Sequence, residues 1–200
     1  MHSTTLRNNI TTKELRGLIN QRLLDILSDQ DKKRRGKAQS VRERVTAVAE
    51  IACEHYIGDI VEIGAYKGET TKILAQIAKR YDRKVIVVDP WKVGTQNCEG
   101  GEYKAYLENV RQFNGIVQTL RLRSDNAEVR EFLQTIDLAF SFVDGLHNYE
   151  MCLYDIETVA HSSIIAVDDI TRFNGVDRAF IEATVELDRC KITKRADKMR

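Results

Sequence analysis

Residues 60–71 read Ile-Val-Glu-Ile-Gly-Ala-Tyr-Lys-Gly-Glu-Thr-Thr, a short apolar run followed by two glycines and the start of a polar segment. The run at 60–63 has the length and composition of a buried strand, and residues 70–81 have those of an amphipathic helix. Gly64 and Gly68 lie in the turn between them, where a residue without a Cβ lets the backbone bend sharply and approach a ligand. The stretch therefore predicts a strand–loop–helix unit with a ligand at the loop.

The alternation of short apolar runs and amphipathic segments continues towards the C-terminus. Apolar runs predict strands at residues 60–63, 85–88, 119–122, 138–143 and 164–167. Helical patterns predict helices at residues 70–81, 103–113, 127–133 and 149–160. Runs that are apolar almost throughout are typical of strands buried on both faces, and strands that alternate with helices form parallel sheets. We therefore predict an α/β fold, a doubly wound and mostly parallel sheet with helices on both faces, which binds ligands at the carboxyl ends of its strands.

The first part of the chain has a helical pattern without strands. Thr11-x-x-Glu14 and Ser40-x-x-Glu43 have the form of capping boxes, each followed by apolar residues at helical spacing. The basic run at 32–37 lies between them, and we favour a solvated turn over the alternative, a patch for nucleic acid. We predict a single domain in which residues 1–57 form a helical extension packed on a core of residues 58–200.

The composition argues against several classes of protein. The 31 basic and 30 acidic residues nearly cancel, so no overall field favours nucleic acid or a membrane surface. No apolar run is long enough to span a bilayer, and the N-terminus lacks the layout of a signal peptide. Cys53, Cys98, Cys152 and Cys190 are widely spaced, which argues against a zinc site and a disulfide framework. We expect a cytoplasmic protein with reduced thiols and with no nucleic-acid or membrane partner.

Two side chains indicate which ligand the glycine loop binds. A dinucleotide loop requires glycine at the position of Tyr66, because the pyrophosphate must approach the backbone closely. Tyr66 therefore argues against an NAD-dependent dehydrogenase. Glu62, two residues before the first glycine, suits a ligand that carries an ammonium group and no phosphate, and S-adenosylmethionine (SAM) has both properties. We expect Glu62, Gly64, Tyr66 and Gly68 to bind SAM.

Two later strand ends carry further residues suited to an adenosine cofactor. Asp89, after the second predicted strand, can accept hydrogen bonds from both ribose hydroxyls, with a turn-forming role as the alternative. Trp91 either covers the edge of the adenine or belongs to the core. Asp125, after the third predicted strand, either accepts from the adenine amino group or caps the next helix.

Taken in order, these motifs resemble those of the class I SAM-dependent methyltransferases. The pattern Val-Glu-Ile-Gly-x-Tyr-x-Gly at residues 61–68 is followed by Val-Asp-Pro-Trp at residues 88–91, and the resemblance extends from residue 40 to residue 187. It implies a Rossmann-like methyltransferase fold with SAM as the methyl donor.

Acidic residues follow the fourth and fifth predicted strands. Asp144 opens the stretch Asp-Gly-Leu-His-Asn-Tyr, and Asp168 and Asp169 directly follow the fifth strand. If these strands are neighbours, the three carboxylates share one edge of the sheet and repel one another unless a cation or protons intervene. Oxygen ligands at a partly open site favour a hard divalent ion, with Mg²⁺ first.

The stretch Asp-Gly-x-His-x-Tyr, followed by a strand that ends in Asp-Asp, is similar to the macrocin-type sugar O-methyltransferases. That resemblance implies Mg²⁺ dependence, with Asp144, Asp168 and Asp169 as ligands and His147 as the general base. Asp144 would then serve in catalysis and contact the cofactor as well. An imidazole titrates near neutral pH and suits this task, and the alternative is a loop histidine bonded to the backbone.

The predicted function is that of a SAM-dependent O-methyltransferase acting on a hydroxyl of a small molecule or sugar. The alternatives are a non-catalytic SAM- or nucleoside-binding module and a methyltransferase of another acceptor class. After residue 187 the chain offers one further strand, at 191–194, and no room for a long insertion over the substrate. We therefore expect an acceptor site that is open, is built from the N-terminal helices, or is completed by another subunit of a homo-oligomer.

Overall fold

The computed structural model of the chain describes Gln21 and residues 41–92, 100–170 and 172–186. The chain separates into two units, Met1–Gln39 and Ser40–Arg200, and all described residues except Gln21 belong to the second. The helix predicted after Thr11, the basic run at 32–37 and the strand at 191–194 lie outside the described residues. The packing of an N-terminal extension on the core stays a prediction.

Helices and strands alternate along the described chain. The strands are β1 (Asp59–Ile63), β2 (Val85–Val88), β3 (Val117–Leu120), β4 (Leu138–Val143) and β5 (Ile164–Val167). The helices are α1 (Val41–His55), α2 (Glu69–Tyr81), α3 (Glu102–Val110), α4 (Ala127–Leu133), α5 (Tyr149–Thr158) and α6 (Asn174–Glu186), with a 3₁₀ turn, Arg111–Phe113, after α3. The bounds of β2, β4, β5 and α4 agree with the sequence prediction residue for residue.

All strands of the sheet are parallel and lie in the order β3-β2-β1-β4-β5. The chain moves outward from β1 to β3, returns to the other side of β1, and moves outward again through β4 and β5. Doubly wound sheets bind ligands at the carboxyl ends of their strands where the order reverses in this way. The predicted fold is confirmed, and the order reverses between β1 and β4.

Helices cover both faces of the sheet. The side chains of Ile60, Phe140 and Phe142 lie on one face with residues of α1, α2 and α3, whereas Val61 and Val143 lie on the other with residues of α4, α5 and α6. Successive side chains of a strand point to opposite faces. Because both faces are buried, the strands are apolar almost throughout.

The third strand begins two residues earlier than predicted. It spans Val117–Leu120, whereas the apolar pattern predicted residues 119–122. Among the described strands, β3 lies at the edge of the sheet and pairs with the four residues of β2 only. An edge strand is half-buried and can therefore include polar residues such as Gln118 and Thr119. Leu122, in the loop that follows β3, packs on the core although it is not part of the strand. Pairing with β2 sets the bounds of β3, so the apolar pattern alone misplaced them.

Two findings bear on the predictions from composition. Within the part of the chain that the structure describes, no helix combines the length and the apolar character needed to cross a bilayer. Cys53 and Cys152 are buried free thiols, as expected, and the other two cysteines lie outside the described residues.

Gly64 brings the loop after β1 against the end of β4. Its φ is 88°, in the left-handed region that favours glycine. A Cβ at this position would lie 2.0 Å from the carbonyl oxygen of Asp144. The two segments therefore meet through main-chain atoms, and the contact requires glycine.

We expect Gly64→Ala to lower the free energy of unfolding by about 3 kcal/mol or more, since left-handed strain and a backbone clash add together. Gly115→Ala is a matched control, because Gly115 also has a positive φ of 82° but a Cβ there would meet no atom within 4 Å. The control should lose only about 1–2 kcal/mol. Urea denaturation followed by circular dichroism measures both values, and equal losses in the two variants would contradict the contact.

Candidate active site

Backbone hydrogen bonds extend the sheet by one residue beyond its strand ends. The amide of Gly64 donates to the last residue of β2 (2.9 Å), and that of Asp89 donates to the last residue of β3 (3.3 Å). The amide of Asp144 donates to the last residue of β1 (2.8 Å), and that of Asp168 to the last residue of β4 (3.0 Å). These four residues therefore form one row along the carboxyl edge, where the sequence analysis expected them.

Asp89 ties the glycine loop to the end of β2. Its Oδ2 accepts hydrogen bonds from the amides of Ala65 and Tyr66, each at 2.9 Å, and its Oδ1 accepts from the amide of Trp91 at 2.8 Å. A carboxylate has about four acceptor positions, so about one remains for a ribose hydroxyl, and bonds from Asp89 to both hydroxyls stay a prediction. Asp89 also fixes the conformation of the glycine loop, a role that the sequence analysis missed.

Trp91 supports the glycine loop from within the core. Its side chain is 4% exposed and packs against the rings of Tyr103 and Tyr106, with centroid separations of 4.9 and 4.5 Å. Its indole N–H donates to the carbonyl oxygen of Tyr66 at 2.6 Å. This burial agrees with the core interpretation of Trp91, and contact with the adenine stays a prediction. The Tyr66 side chain itself is exposed beside the loop.

Tyr106 is a residue of this site that the sequence analysis missed. A Cβ on Gly68, whose φ is 78°, would lie 2.8 Å from the Tyr106 ring, so the ring packs directly under the loop. The Tyr106 hydroxyl shares a hydrogen bond of 2.6 Å with the hydroxyl of Thr119. Burial raises the pKa of Tyr106 to about 12, against the effect of that hydrogen bond. Tyr106 is therefore a neutral residue that fixes the position of the loop.

Glu62 is a fully buried carboxyl group on β1. Its Oε2 accepts a hydrogen bond from the hydroxyl of Thr71 on α2, and its Oε1 has no hydrogen-bond partner among the described residues. Burial raises the pKa of Glu62 to about 8; the Thr71 bond opposes this rise, while Asp144 and Asp89 add to it. A buried polar oxygen without a partner is costly. The site therefore favours a ligand that brings a donor, such as an ammonium group, to Oε1.

Asp125 does not cap the helix that follows it. The N-cap of α4 is Asn126, whose Oδ1 accepts from the amide of Glu128 at 2.8 Å. Asp125 is exposed and forms a two-point ion pair with Arg123, at 2.8 and 2.7 Å, which lowers the pKa of its carboxyl. The capping alternative for Asp125 was wrong, because the next residue, Asn126, occupies the N-cap position. Its contact with the adenine amino group stays a prediction.

Asp144, His147 and Asp169 form a compact group at the ends of β4 and β5. The Nε2 atom of His147 is 3.6 Å from Oδ1 of Asp144 and 3.3 Å from Oδ2 of Asp169. One potential ligand atom from each side chain lies within 4.8 Å of the others. Burial, followed by repulsion from Asp168 and Asp169, raises the pKa of Asp144 to about 8. A bound cation would favour the ionised form of such a carboxyl.

Asp168 lies beside this group and supports its backbone. Its Oδ1 accepts a hydrogen bond from the amide of Asp169 at 2.8 Å, and Asp169 has a φ of 55°. Burial raises the pKa of Asp168; the amide bond opposes this rise, Asp169 adds to it, and Arg44 and His147 oppose it. The predicted set of three aspartate ligands stays a prediction. The structure brings two of the three together with His147.

The imidazole of His147 is held on two sides. Its ring lies parallel to that of Phe173, at 4.5 Å between centroids and 4° between planes, and its side chain is 15% exposed. The two carboxylates of the group lie at its Nε2 edge. This arrangement suits a general base next to a reacting hydroxyl, and it equally suits a metal ligand.

The sequence matches a known family over its central part. Residues 61–170, which are more than half of the chain, match the family described as "Methyltransferase domain". The match begins on β1 and ends directly after Asp168 and Asp169, so it includes both the glycine loop and the acidic group. Among curated proteins, no sequence gives a significant match.

Several solved methyltransferase structures resemble this chain. CalS11, a TDP-rhamnose 3'-O-methyltransferase of calicheamicin biosynthesis, has a TM-score of 0.61 at 18% identity, over 100% of this chain and 94% of that chain. The O-methyltransferase NovP has a TM-score of 0.52 at 19% identity, over 88% and 91%. The SAH-bound Podospora anserina methyltransferase PaMTH1 has a TM-score of 0.50 at 15% identity, over 94% and 90%. At these identities the likeness shows the fold.

The fold and the family match agree with each other. They confirm the prediction of a methyltransferase over that of a non-catalytic module, and they support SAM as the methyl donor. The chain belongs to the methyltransferase-domain family.

Proposed function

We propose that the chain is a SAM-dependent O-methyltransferase that acts on a hydroxyl of a small molecule, assisted by Mg²⁺, with a sugar as the favoured acceptor. The observation that carries the proposal is the group of Asp144, His147 and Asp169. Asp144 links this group to the glycine loop, because it lies in the same row as Gly64. Methylation of a hydroxyl needs a proton acceptor next to the methyl donor. The fold is shared with CalS11 and NovP, which are described as O-methyltransferases, the first acting on TDP-rhamnose.

The methyl donor would bind along the glycine loop. Oε1 of Glu62 is suited to the ammonium group of SAM, and the positive φ of Gly64 and Gly68 gives the loop the turn in which SAM would bind. Asp89 retains about one acceptor position, which suits a ribose hydroxyl. The exposed carboxylate of Asp125 is suited to the amino group of the adenine.

The acidic group fits a hard divalent cation. Asp144 and Asp169 offer carboxylate oxygens, which Mg²⁺ prefers, and either Asp168 or His147 would supply a third ligand. When bound, Mg²⁺ would lower the pKa of an acceptor hydroxyl. The raised pKa of Asp144 means that this carboxyl ionises readily at neutral pH only beside a positive charge.

In the reaction, the residues of the chain mainly position the reactants and move one proton. His147 would accept the proton of the acceptor hydroxyl, and the oxygen would then attack the methyl carbon of SAM as the carbon–sulfur bond breaks. The products would be the methyl ether and S-adenosylhomocysteine, with the proton left on the imidazole. Alignment of the two reactants and the surrounding fixed charges would supply most of the rate enhancement.

Titration of the SAM-loaded protein with Mg²⁺ in a calorimeter tests the acidic group. We expect Asp144→Asn and Asp169→Asn to weaken Mg²⁺ binding at least about tenfold, because each removes a charged ligand. SAM binding should persist unchanged in Asp169→Asn and be weakened in Asp144→Asn, since Asp144 is also predicted to contact the cofactor. Asp168→Asn distinguishes the two candidates for the third ligand: a similar loss of Mg²⁺ affinity supports Asp168, and an unchanged affinity supports His147. Asp137→Asn is a matched control, since Asp137 is exposed and directly precedes the amino end of β4.

The role of His147 can be separated from that of the aspartates. If His147 is the general base, His147→Gln should keep its Mg²⁺ affinity and lose about 100-fold or more in methyl transfer from labelled SAM to a panel of nucleotide sugars and catechols. A parallel loss of Mg²⁺ affinity would instead identify His147 as a ligand. If the wild-type protein gives no binding heat with SAM, the proposed function is wrong.

The pKa of about 8 for Glu62 predicts how the stability of the SAM-free protein depends on pH. Glutamate in the unfolded chain titrates near 4.5, so the folded protein retains this proton to higher pH. The stabilising effect is fully present below pH 4.5 and is lost as the pH rises towards 8. Relative to wild type, the neutral variant Glu62→Gln should therefore gain up to about 1.4 kcal/mol per pH unit across this window.

Urea denaturation from pH 5 to pH 8, without SAM, measures this difference. Glu157→Gln is the control, because Glu157 is exposed on α5 and its replacement should leave the pH dependence as in wild type. Parallel stability curves for Glu62→Gln and wild type would show that Glu62 is ionised in the free protein.

A further inference from the structure

Asp155 is a buried carboxyl group that the proposed reaction does not use. It lies within α5 and is 1% exposed. Neither of its oxygens makes a hydrogen bond of ordinary geometry within the described part of the chain. An acid at such a position costs free energy compared with an apolar residue. A buried acid of this kind is expected to have a role in the contacts that surround it.

Two loops of the active-site edge adjoin this carboxyl group. A Cβ on Gly145 would lie 2.8 Å from Oδ2 of Asp155, so the backbone directly after Asp144 packs on the carboxyl. The hydroxyl of Ser124 lies close enough to the same carboxyl to affect its pKa. Burial raises the pKa of Asp155 to about 7, the Ser124 interaction opposes this rise, Asp125 adds to it and Arg123 opposes it.

No direct strand pairing connects these two loops. Ser124 belongs to the loop after β3 and Gly145 to the loop after β4, and in the sheet β2 and β1 lie between those strands. A single side chain of α5 reaches both loops. The N-terminus of this helix is stabilised by a cap, in which the side chain of Asn148 accepts a hydrogen bond from the amide of Met151 at 2.9 Å.

We propose that Asp155 is a positioning residue, whose carboxyl group holds the Ser124–Asp125 segment and the Asp144–Gly145 segment at a fixed separation. One segment carries the residue predicted at the adenine, and the other carries the first acid of the candidate metal group. Asp155 acts through Ser124 and Gly145 and touches neither the ligands nor the reacting atoms. The inference rests on the proposed SAM site at this edge.

The test is SAM affinity, measured by calorimetry on the full-length protein. Asp155→Ala removes the carboxyl group and its contacts with both loops, and should weaken SAM binding about tenfold, which corresponds to about 1.4 kcal/mol. Asp155→Asn keeps the shape and the polarity, and should stay within about threefold of wild type. A residue needed only for folding would lower the melting temperature without this difference in affinity between the two variants.

A second variant tests the contact with the loop after β3. Ser124→Ala should weaken SAM binding about threefold, and adding it to Asp155→Ala should cause little further loss, because both remove the same interaction. Additive effects would overturn the proposal. Glu157→Gln, on the same helix but exposed, is the control and should bind SAM as wild type does.

The outcomes separate this inference from the proposed function. If wild type does not bind SAM, the proposed function fails. If wild type binds SAM and folded Asp155→Ala binds it within about twofold, Asp155 is not a positioning residue. Equal weakening in Asp155→Ala and Asp155→Asn also overturns the inference. If Asp155→Ala does not fold, an unchanged SAM affinity in Ser124→Ala overturns it.

Discussion

The site depends on the main-chain contact between Gly64 and Asp144. β1 and β4 are neighbours because the chain returns to β1 after β3. The amide of Asp144 donates to the carbonyl of Ile63, and a Cβ on Gly64 would collide with the carbonyl oxygen of Asp144. This junction sets the distance between the loop proposed to hold the methyl donor and the group proposed to activate the acceptor. In-line methyl transfer tolerates little change in that distance. Two packed backbone segments hold the distance more constant than two side chains would.

The same junction brings acidic groups close together. Glu62 and Asp144 both have pKa values raised to about 8, chiefly through burial, and each is affected by other carboxylates at this edge. Ionising them in the free protein is therefore unfavourable. Both ligands proposed here carry positive charge, since SAM has a sulfonium and an ammonium group and the metal is divalent. A ligand that binds only the folded protein also stabilises it, so occupancy of the site and stability of the fold should rise together.

The sequence pattern located the strands that are apolar almost throughout. An acid that directly follows such a strand must lie at the carboxyl edge, and this located Asp89, Asp144 and Asp168. The prediction failed at β3, which contains Gln118 and Thr119 and takes its bounds from its pairing with β2, whereas β5, the other edge strand of the described sheet, is apolar throughout and was predicted correctly. The sequence analysis also missed Thr71, Tyr106 and Asp155. Each of them acts through a contact that depends on how a helix packs, and no local pattern marks such a residue.

The acids of this edge have a structural task besides the one proposed in binding. Among the described residues other than glycine, a positive φ occurs at Tyr66, Trp91 and Asp169, all at this edge, and at Asp82, which caps α2. Asp89 accepts from the amides of Tyr66 and Trp91, and Asp168 accepts from that of Asp169. The strained backbone is thus held by carboxylates that still have lone pairs to offer. Because the loop is held before the ligand arrives, the binding energy of the ligand is not spent on ordering the loop. An acid-to-amide change at Asp89 would consequently alter the loop and the ligand contact together, whereas the indole of Trp91 acts on the loop through the carbonyl of Tyr66.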